Sequence, residues 1–195
     1  MRYGLVGSEM CIRDSSDIGL KRENIVFTRI KKKKIKKVML MGYPMNSTRY
    51  TDEVYCFYYY SLKLQIKILQ HLKSLGFYTI YKSHPDRLIE IGNLMNDFTD
   101  EHEDSKFENS WEKADAIIFT YPTTTTFGFA ITTPLPILLI SEKSTDWNYT
   151  ERLRIKKRIQ ILDYEYNFGK YKGINSKNII LGLEAAKNKK PYHLI

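Results

Sequence analysis

ADAIIFTYPTTTTFGFAITTPLPILLI, residues 114–140, decides how this chain folds. Asp115 closes the element before it. Ala116 to Thr120 are a short, continuous β-branched and aromatic run, the pattern of a strand buried on both faces. Pro122 ends the run, and four threonines, Thr123 to Thr126, follow where a helix should start. Threonine is a good N-cap, and a helix N-terminus presents free N–H groups at the positive end of its dipole. That combination binds anions. Phe127 to Thr133 suit two helical turns. Pro134 and Pro136 forbid more helix, and Ile137 to Ile140 give the next buried strand.

The same alternation extends outward from this stretch. Val38 to Met41 is an apolar strand leading to Gly42-Tyr43-Pro44, entered through the basic run Lys31 to Lys37. Tyr50 to Leu75 is the longest expected helix, capped by Thr51, with Asp52 and Glu53 in its first turn and Gly76 just past its end. Val54, Tyr58, Leu62, Ile66, Leu69 and Leu72 form its apolar stripe. Phe77 to Lys82 is a second strand, delivering Lys82-Ser83-His84-Pro85 at its C-terminal end. A helix is expected from Pro85 to about Met95, an acidic loop over Asp97 to Lys106, and a short helix over Phe107 to Lys113 anchored by Trp111. Beyond the central stretch, Thr150 to Leu162 reads as a basic amphipathic helix with Ile155, Ile159 and Leu162 on one side. Asp163 to Asn175 reads as irregular. Ser176 then caps a last helix with Ile179, Ile180 and Leu183 inward. Strands alternating with helices give an α/β, Rossmann-like parallel sheet with helices on both faces.

The chain has 195 residues, 43% hydrophobic and 27% charged, the balance of a globular protein large enough for a real core. No run of apolar residues has the length of a membrane-spanning helix. Cys11 and Cys56 build neither a disulfide framework nor a metal cluster, and no metal is expected. A cytoplasmic setting fits that cysteine usage, at the inner face of the plasma membrane if the basic surface meets lipid. The net charge of +9 suits an anionic substrate, an anionic membrane surface or nucleic acid, and also the Lys-, Ile-, Tyr- and Asn-rich usage of an AT-rich genome. The tyrosines Tyr55 and Tyr58 to Tyr60 suit core and helix surface, with base or sugar stacking as the functional alternative.

Glu9 to Ser15, EMCIRDS, reads back through the genetic code as the transposon end used to build sequencing libraries. Residues 1–15 are therefore expected to be artefact in a metagenomic fragment. Residues 16–36 would be a linker or the remnant of a missing N-terminal domain, and 37–190 the folded unit.

Parallel sheets bind ligands outside the C-terminal ends of their strands. Two groups should meet there, Lys82, His84 and Pro85 on one strand and Thr123, Thr124, Thr125 and Thr126 after a neighbouring one, with Gly42, Tyr43 and Asn46 arriving from the first. A lysine, a histidine and a hydroxyl-rich helix N-terminus suit a phosphodiester or diphosphate. Taken singly, a His before Pro is an ordinary loop residue and a threonine run an ordinary cap. Their meeting at two strand ends is what points to a site. The G-x-x-x-x-G-K-[ST] and G-x-G-x-x-G phosphate motifs are both missing.

His84-Pro85 in KSHPD, the threonines after ADAIIFTYP, and the F-x-x-A…P-L-P-I strand that follows carry a resemblance. From about Lys36 to Lys190 the chain resembles the C-terminal, nucleotide-binding domain of bacterial GT-B glycosyltransferases of surface polysaccharide and capsule synthesis. The nearest types are sialyl- and Kdo-transferase-like enzymes and CDP-glycerol polymerases. The resemblance implies that both motifs hold the nucleotide and its phosphates. It implies a CMP-, CDP- or UDP-activated sugar or alcohol as donor and a glycan or lipid-linked acceptor. It also implies a second domain supplying the general base, so that this fragment is inactive alone. His84 would act as acid or, with Lys82, offset the leaving phosphate's charge. No glutamate is followed by another eight residues later, which departs from the retaining pattern and favours inverting, metal-independent transfer. Two other classes stay open. A sugar-nucleotide epimerase of the same architecture would want more carboxylates at the strand ends. A nucleic-acid module would use Lys31 to Lys37 and Arg152 to Arg158, without any RNP, zinc or helix-turn-helix signature.

Overall fold

The computed structural model describes residues 34–42, 52–84, 93–122, 124–143 and 149–189, with backbone alone described at 52–58 and 149–151. Its strands are β1 (Lys37–Met41), β2 (Tyr78–Lys82), β3 (Glu101–Glu103), β4 (Ala116–Phe119), β5 (Ile137–Glu142), β6 (Gln160–Asn167) and β7 (Lys170–Lys172). Its helices are α1 (Asp52–Ser74), α2 (Phe107–Ser110, running into a 3-10 turn at Trp111–Lys113), α3 (Thr125–Thr132), α4 (Tyr149–Arg158) and α5 (Ser176–Ala186). The strands form one seven-stranded sheet in the order β3-β2-β1-β4-β5-β6-β7. Every pairing is parallel except β6 with β7.

Alternation along the strands sorts the core into two layers. Val38 and Leu40, Ala116 and Ile118, and Leu138 and Ile140 pack with Leu64, Ile68, Leu69 and Leu72 of α1 and Ile179 and Leu183 of α5. Met39 and Met41, Ile117 and Phe119, and Ile137 and Leu139 pack on the other face with Phe107 of α2 and Phe127 and Ala130 of α3. Covering both faces is what allows the central strands to be apolar throughout, as the sequence of β1, β4 and β5 anticipates. The Rossmann-like α/β architecture expected from the sequence is present.

Several elements differ from their sequence reading. The acidic stretch expected as loop holds β3, pairing Ile80 with Glu101 and Lys82 with Glu103. A three-residue edge strand carries too little apolar signal to register. The basic helix stops at Arg158, and the residues after it begin β6. The segment 163–175, expected as irregular, contains the β6–β7 hairpin. In α5 the cap is Asn175, whose Oδ1 accepts the Asn178 N–H at 2.8 Å, and Ile180 is exposed. In α1 the buried row runs through Leu64, Gln65 and Ile68, while Leu62 and Ile66 are only partly covered. Val54 and Tyr58, and residues 85–92 of the helix expected after β2, lie outside the described side chains and residues.

The N-terminal ends of the strands are closed by charged side chains bonded to backbone. Asp115 does more than end an element: its Oδ2 accepts the N–H groups of Lys36 and Lys37, each at 2.9 Å, fixing the entry to β1. Asp100 Oδ2 accepts from the N–H and the hydroxyl of Thr79, each at 2.7 Å, at the start of β2. Arg158, 3% exposed, donates to the carbonyls of Ile131, Thr133 and Leu135 at 2.8, 2.5 and 2.8 Å, tying the end of α4 to the turn before β5. Burial lowers its pKa to about 10, so it stays a cation at neutral pH.

Candidate functional site

The strand order reverses at β1. The chain leaves β1 to build β2 and β3 on one side, then crosses to build β4, β5 and β6 on the other. Such a switch point opens a crevice outside the C-terminal ends of the two strands that part there, β1 and β4. Met41 pairs with Lys82, and Leu40 pairs with Ile118, so Lys82, Met41 and Phe119 stand at one level. The residues following them form the crevice rim. The two predicted groups are not on adjacent strands as expected: β1 lies between β2 and β4. With strands about 4.8 Å apart, the two ends are about 10 Å from each other across β1.

On the β4 side, Thr124 has extended backbone and caps α3, its Oγ1 accepting the Phe127 N–H at 3.0 Å. The Gly128 N–H bonds to the Thr124 carbonyl at 3.2 Å. The N–H groups of Thr125 and Thr126, in the first turn, have no acceptor within the helix. Phe127 meets Phe119 edge-on at 5.0 Å between centroids, so the strand that ends at the crevice also holds the helix that starts there.

On the β2 side, Lys82 is 3% exposed and donates through Nζ to the Ser83 carbonyl at 2.7 Å. Burial pulls its pKa down, against the upward pull of Glu103, Asp104 and Glu108. Its side chain is buried beneath the rim. Ser83, 2% exposed, is held three ways: by Lys82 at its carbonyl, by the Glu103 carbonyl on its N–H at 3.1 Å, and by His102 Nε2 on its hydroxyl at 2.5 Å. His102 Nδ1 in turn lies 3.0 Å from Asn96 Oδ1. That acceptor assigns the proton to Nδ1 and leaves Nε2 to accept from Ser83. His84 follows this clamped residue, half-buried at the rim.

Gly42 leaves β1 between the two groups. Its N–H bonds to the Lys82 carbonyl at 2.8 Å, and a Cβ there would sit 2.8 Å from the Tyr81 hydroxyl and 2.9 Å from the Lys82 carbonyl. Only glycine lets β1 and β2 stay this close where they end. Pro85, Thr123, Tyr43 and Asn46, the other predicted rim residues, lie outside the described residues.

Sequence reading missed Ser83, His102 and Asn96 as a connected set, and two carboxylates at strand ends. Glu103 ends β3. Burial raises its pKa, but hydrogen bonds from Lys113 and Ser105 more than reverse this and hold it at about 2. Glu142 ends β5, opposite Tyr164 of β6. The basic face expected on α4 is also partly committed: Arg152 forms a bond through Nη2 to both oxygens of Asp163, at 2.6 and 2.7 Å, and Arg158 is buried.

Fold and crevice together define a doubly wound α/β protein of the Rossmann-like class. No protein-family model matches the chain, and no curated protein matches it in sequence. Among solved structures, MT0777 is similar at a TM-score of 0.46 with 16% identity, covering 80% of this chain and 99% of that one. Thermosulfurimonas dismutans KpsC, a beta Kdo 2,7 transferase, is similar at a TM-score of 0.36 with 20% identity, covering 71% of this chain and 43% of KpsC. Likenesses of this size assign neither a family nor an activity. Among the described residues, no helix is long and apolar enough to cross a membrane.

Proposed function

We propose that this chain binds the nucleotide part of an activated donor, a CMP-, CDP- or UDP-linked sugar or alcohol, and forms the donor half of an inverting, metal-independent glycosyltransferase of surface polysaccharide synthesis. The observation that carries the reading is the Thr124-capped N-terminus of α3 beside the β1 switch point, with His84 at the end of β2 on the other side of β1. The donor's phosphate would take the N–H groups of Thr125 and Thr126 and the threonine hydroxyls, where the helix dipole favours negative charge. His84 would donate to the leaving phosphate as the anomeric bond breaks. An acceptor hydroxyl would attack that carbon, its proton taken by a base outside this chain. Lys82 would act from below, fixing Ser83, with its ammonium against the Ser83 carbonyl.

Calorimetric titration of the folded chain with CMP-, CDP- and UDP-linked donors, with and without chelator, tests the reading. Binding to one nucleotide class, unchanged by chelator, is the expected result. Heat from none of them removes the proposal. His84→Ala should weaken binding about tenfold and Thr125→Ala or Thr126→Ala about threefold, given the worth of hydrogen bonds to charged groups. Unchanged affinity in all three moves the site elsewhere.

A further inference from the structure

The β6–β7 hairpin ends in a two-residue turn, Phe168-Gly169, between the paired Asn167 and Lys170. Both turn residues have positive φ, 44° and 76°. Such turns favour Asn or Gly at the first position, because a side chain there crowds the backbone. Phe168 is the one non-glycine residue with positive φ among the described residues, and it is 97% exposed. A large apolar side chain therefore sits at a strained position where it contributes no burial to the fold.

Its surroundings have a definite chemistry. On one face of the hairpin, Tyr166 and Tyr171 pack towards α1, where Tyr166 meets Tyr60 at 4.5 Å between centroids and the Tyr171 hydroxyl donates to the Tyr60 carbonyl at 2.7 Å. Beside them Tyr59 is 57% exposed, with Lys63 over its ring at 5.7 Å. On the opposite face stand Lys170 and Lys172, both exposed. Glu165 shares that face, already paired with Lys143 at 2.6 Å and facing Lys172 at 3.7 Å. An apolar tip thus projects beyond a collar of lysines and amphipathic tyrosines. β6 runs parallel to β1 and β4, so the tip lies at the same end of the sheet as the crevice.

We propose that this hairpin is a membrane-docking tip that inserts Phe168 into the interface of an anionic lipid bilayer while Lys63, Lys170 and Lys172 meet the headgroups. An apolar wedge and a cationic collar together match that surface, since burial of the ring supplies an area-dependent term and the lysines an electrostatic one. Tyrosine rings suit the headgroup level, with the ring apolar and the hydroxyl wet. Docking in this way would turn the crevice towards the lipid, and it does not depend on which ligand the crevice takes.

The test is co-sedimentation of the purified chain with phosphatidylcholine vesicles, with and without phosphatidylglycerol. Binding should require the anionic lipid and fall as salt rises. Phe168→Asn suits the turn better than the native residue, so it should keep or raise Tm while lowering vesicle partition about tenfold, the worth of one buried aromatic ring. Lys170→Glu and Lys172→Glu should each lower it at least roughly fivefold. No binding to anionic vesicles, or equal binding by Phe168→Asn, overturns the proposal. Phe168-dependent binding to single-stranded RNA without vesicle binding would also overturn it, in favour of a base-stacking role.

Discussion

The two ends of the sheet handle the same problem in opposite ways. Strand ends and helix ends leave backbone N–H and C=O groups without regular partners. At the N-terminal end, Asp115, Asp100 and Arg158 fill those places with charged side chains. At the C-terminal end the rim is prepared with small and hydroxyl-bearing residues, Gly42, Ser83 and Thr124, and the first N–H groups of α3 have no acceptor within the helix. One end spends its charge on holding the fold together. The other holds Ser83 through Lys82 Nζ and the His102 ring, caps α3 with a threonine hydroxyl, and keeps that helix's first donors for something else. Stability should therefore track substitutions at the first end, and ligand binding those at the second.

The sharpest way to break this contrast is at Arg158. Arg158→Met removes the donor from three carbonyls, two of these bonds being buried, and should cost about 3 kcal/mol in urea unfolding, with donor affinity of the folded fraction unchanged. A loss below about 1 kcal/mol would mean that water replaces the guanidinium and that this end is not closed. Asp115→Ala removes one acceptor serving two N–H groups and should cost about 2 kcal/mol by the same measurement, again without touching affinity.

Glu103 sits at the ligand end but behaves like the closed one, and its titration sharpens the boundary. Its carboxyl is held at about 2 against an ordinary 4.5. A depressed carboxyl pKa contributes stability that is fully present above the unfolded value and is lost as pH falls towards the folded value. The loss should run from about pH 4.5 down to about pH 2, amounting to about 2 kcal/mol after allowing for the half-exposed Lys113 partner. Glu103→Gln should flatten that part of the pH–stability curve. An unchanged slope would place the acid sensitivity elsewhere. The smallest stability effect belongs to Ser83→Ala, about 1 kcal/mol. That variant should also shift the ring resonances of both His102 and His84 and weaken donor binding. Movement of His102 alone would show that the clamp does not set His84.

What the sequence made legible follows from how each element is buried. β1, β4 and β5 are apolar on both faces and read directly. β3, Glu101-His102-Glu103, carries two carboxylates and one histidine, so its strand character comes from pairing to β2 and from nothing in its own composition. Ile155, Ile159 and Leu162 sit at helical spacing, which hid the change at Arg158. Ile159 belongs to the core layer on the α2 and α3 face, and Leu162 already belongs to β6 on the opposite face. Lys82, His84 and the threonines could be placed at strand ends from sequence. The Ser83–His102–Asn96 set could not, because it exists only once β3 is known to lie beside β2. The position of β1 between the two groups likewise required the strand order.

The position of β1 between β2 and β4 has a consequence for the chain while it is being made. Its β4 partner lies about 78 residues downstream, as the Lys37–Asp115 bond marks. At about 5–20 residues per second, synthesis reaches that partner roughly 4–16 seconds after β1 appears. For that time Val38 to Met41, an apolar β-former, has an open edge. The lysine run KKKKIKK directly before it is then more than an approach to the fold. Like charges beside a sticky strand keep two nascent chains from pairing edge to edge, the part gatekeeper residues play. The lysines of that stretch would then act before the molecule is finished, whatever Lys36 and Lys37 contribute through Asp115 once it is.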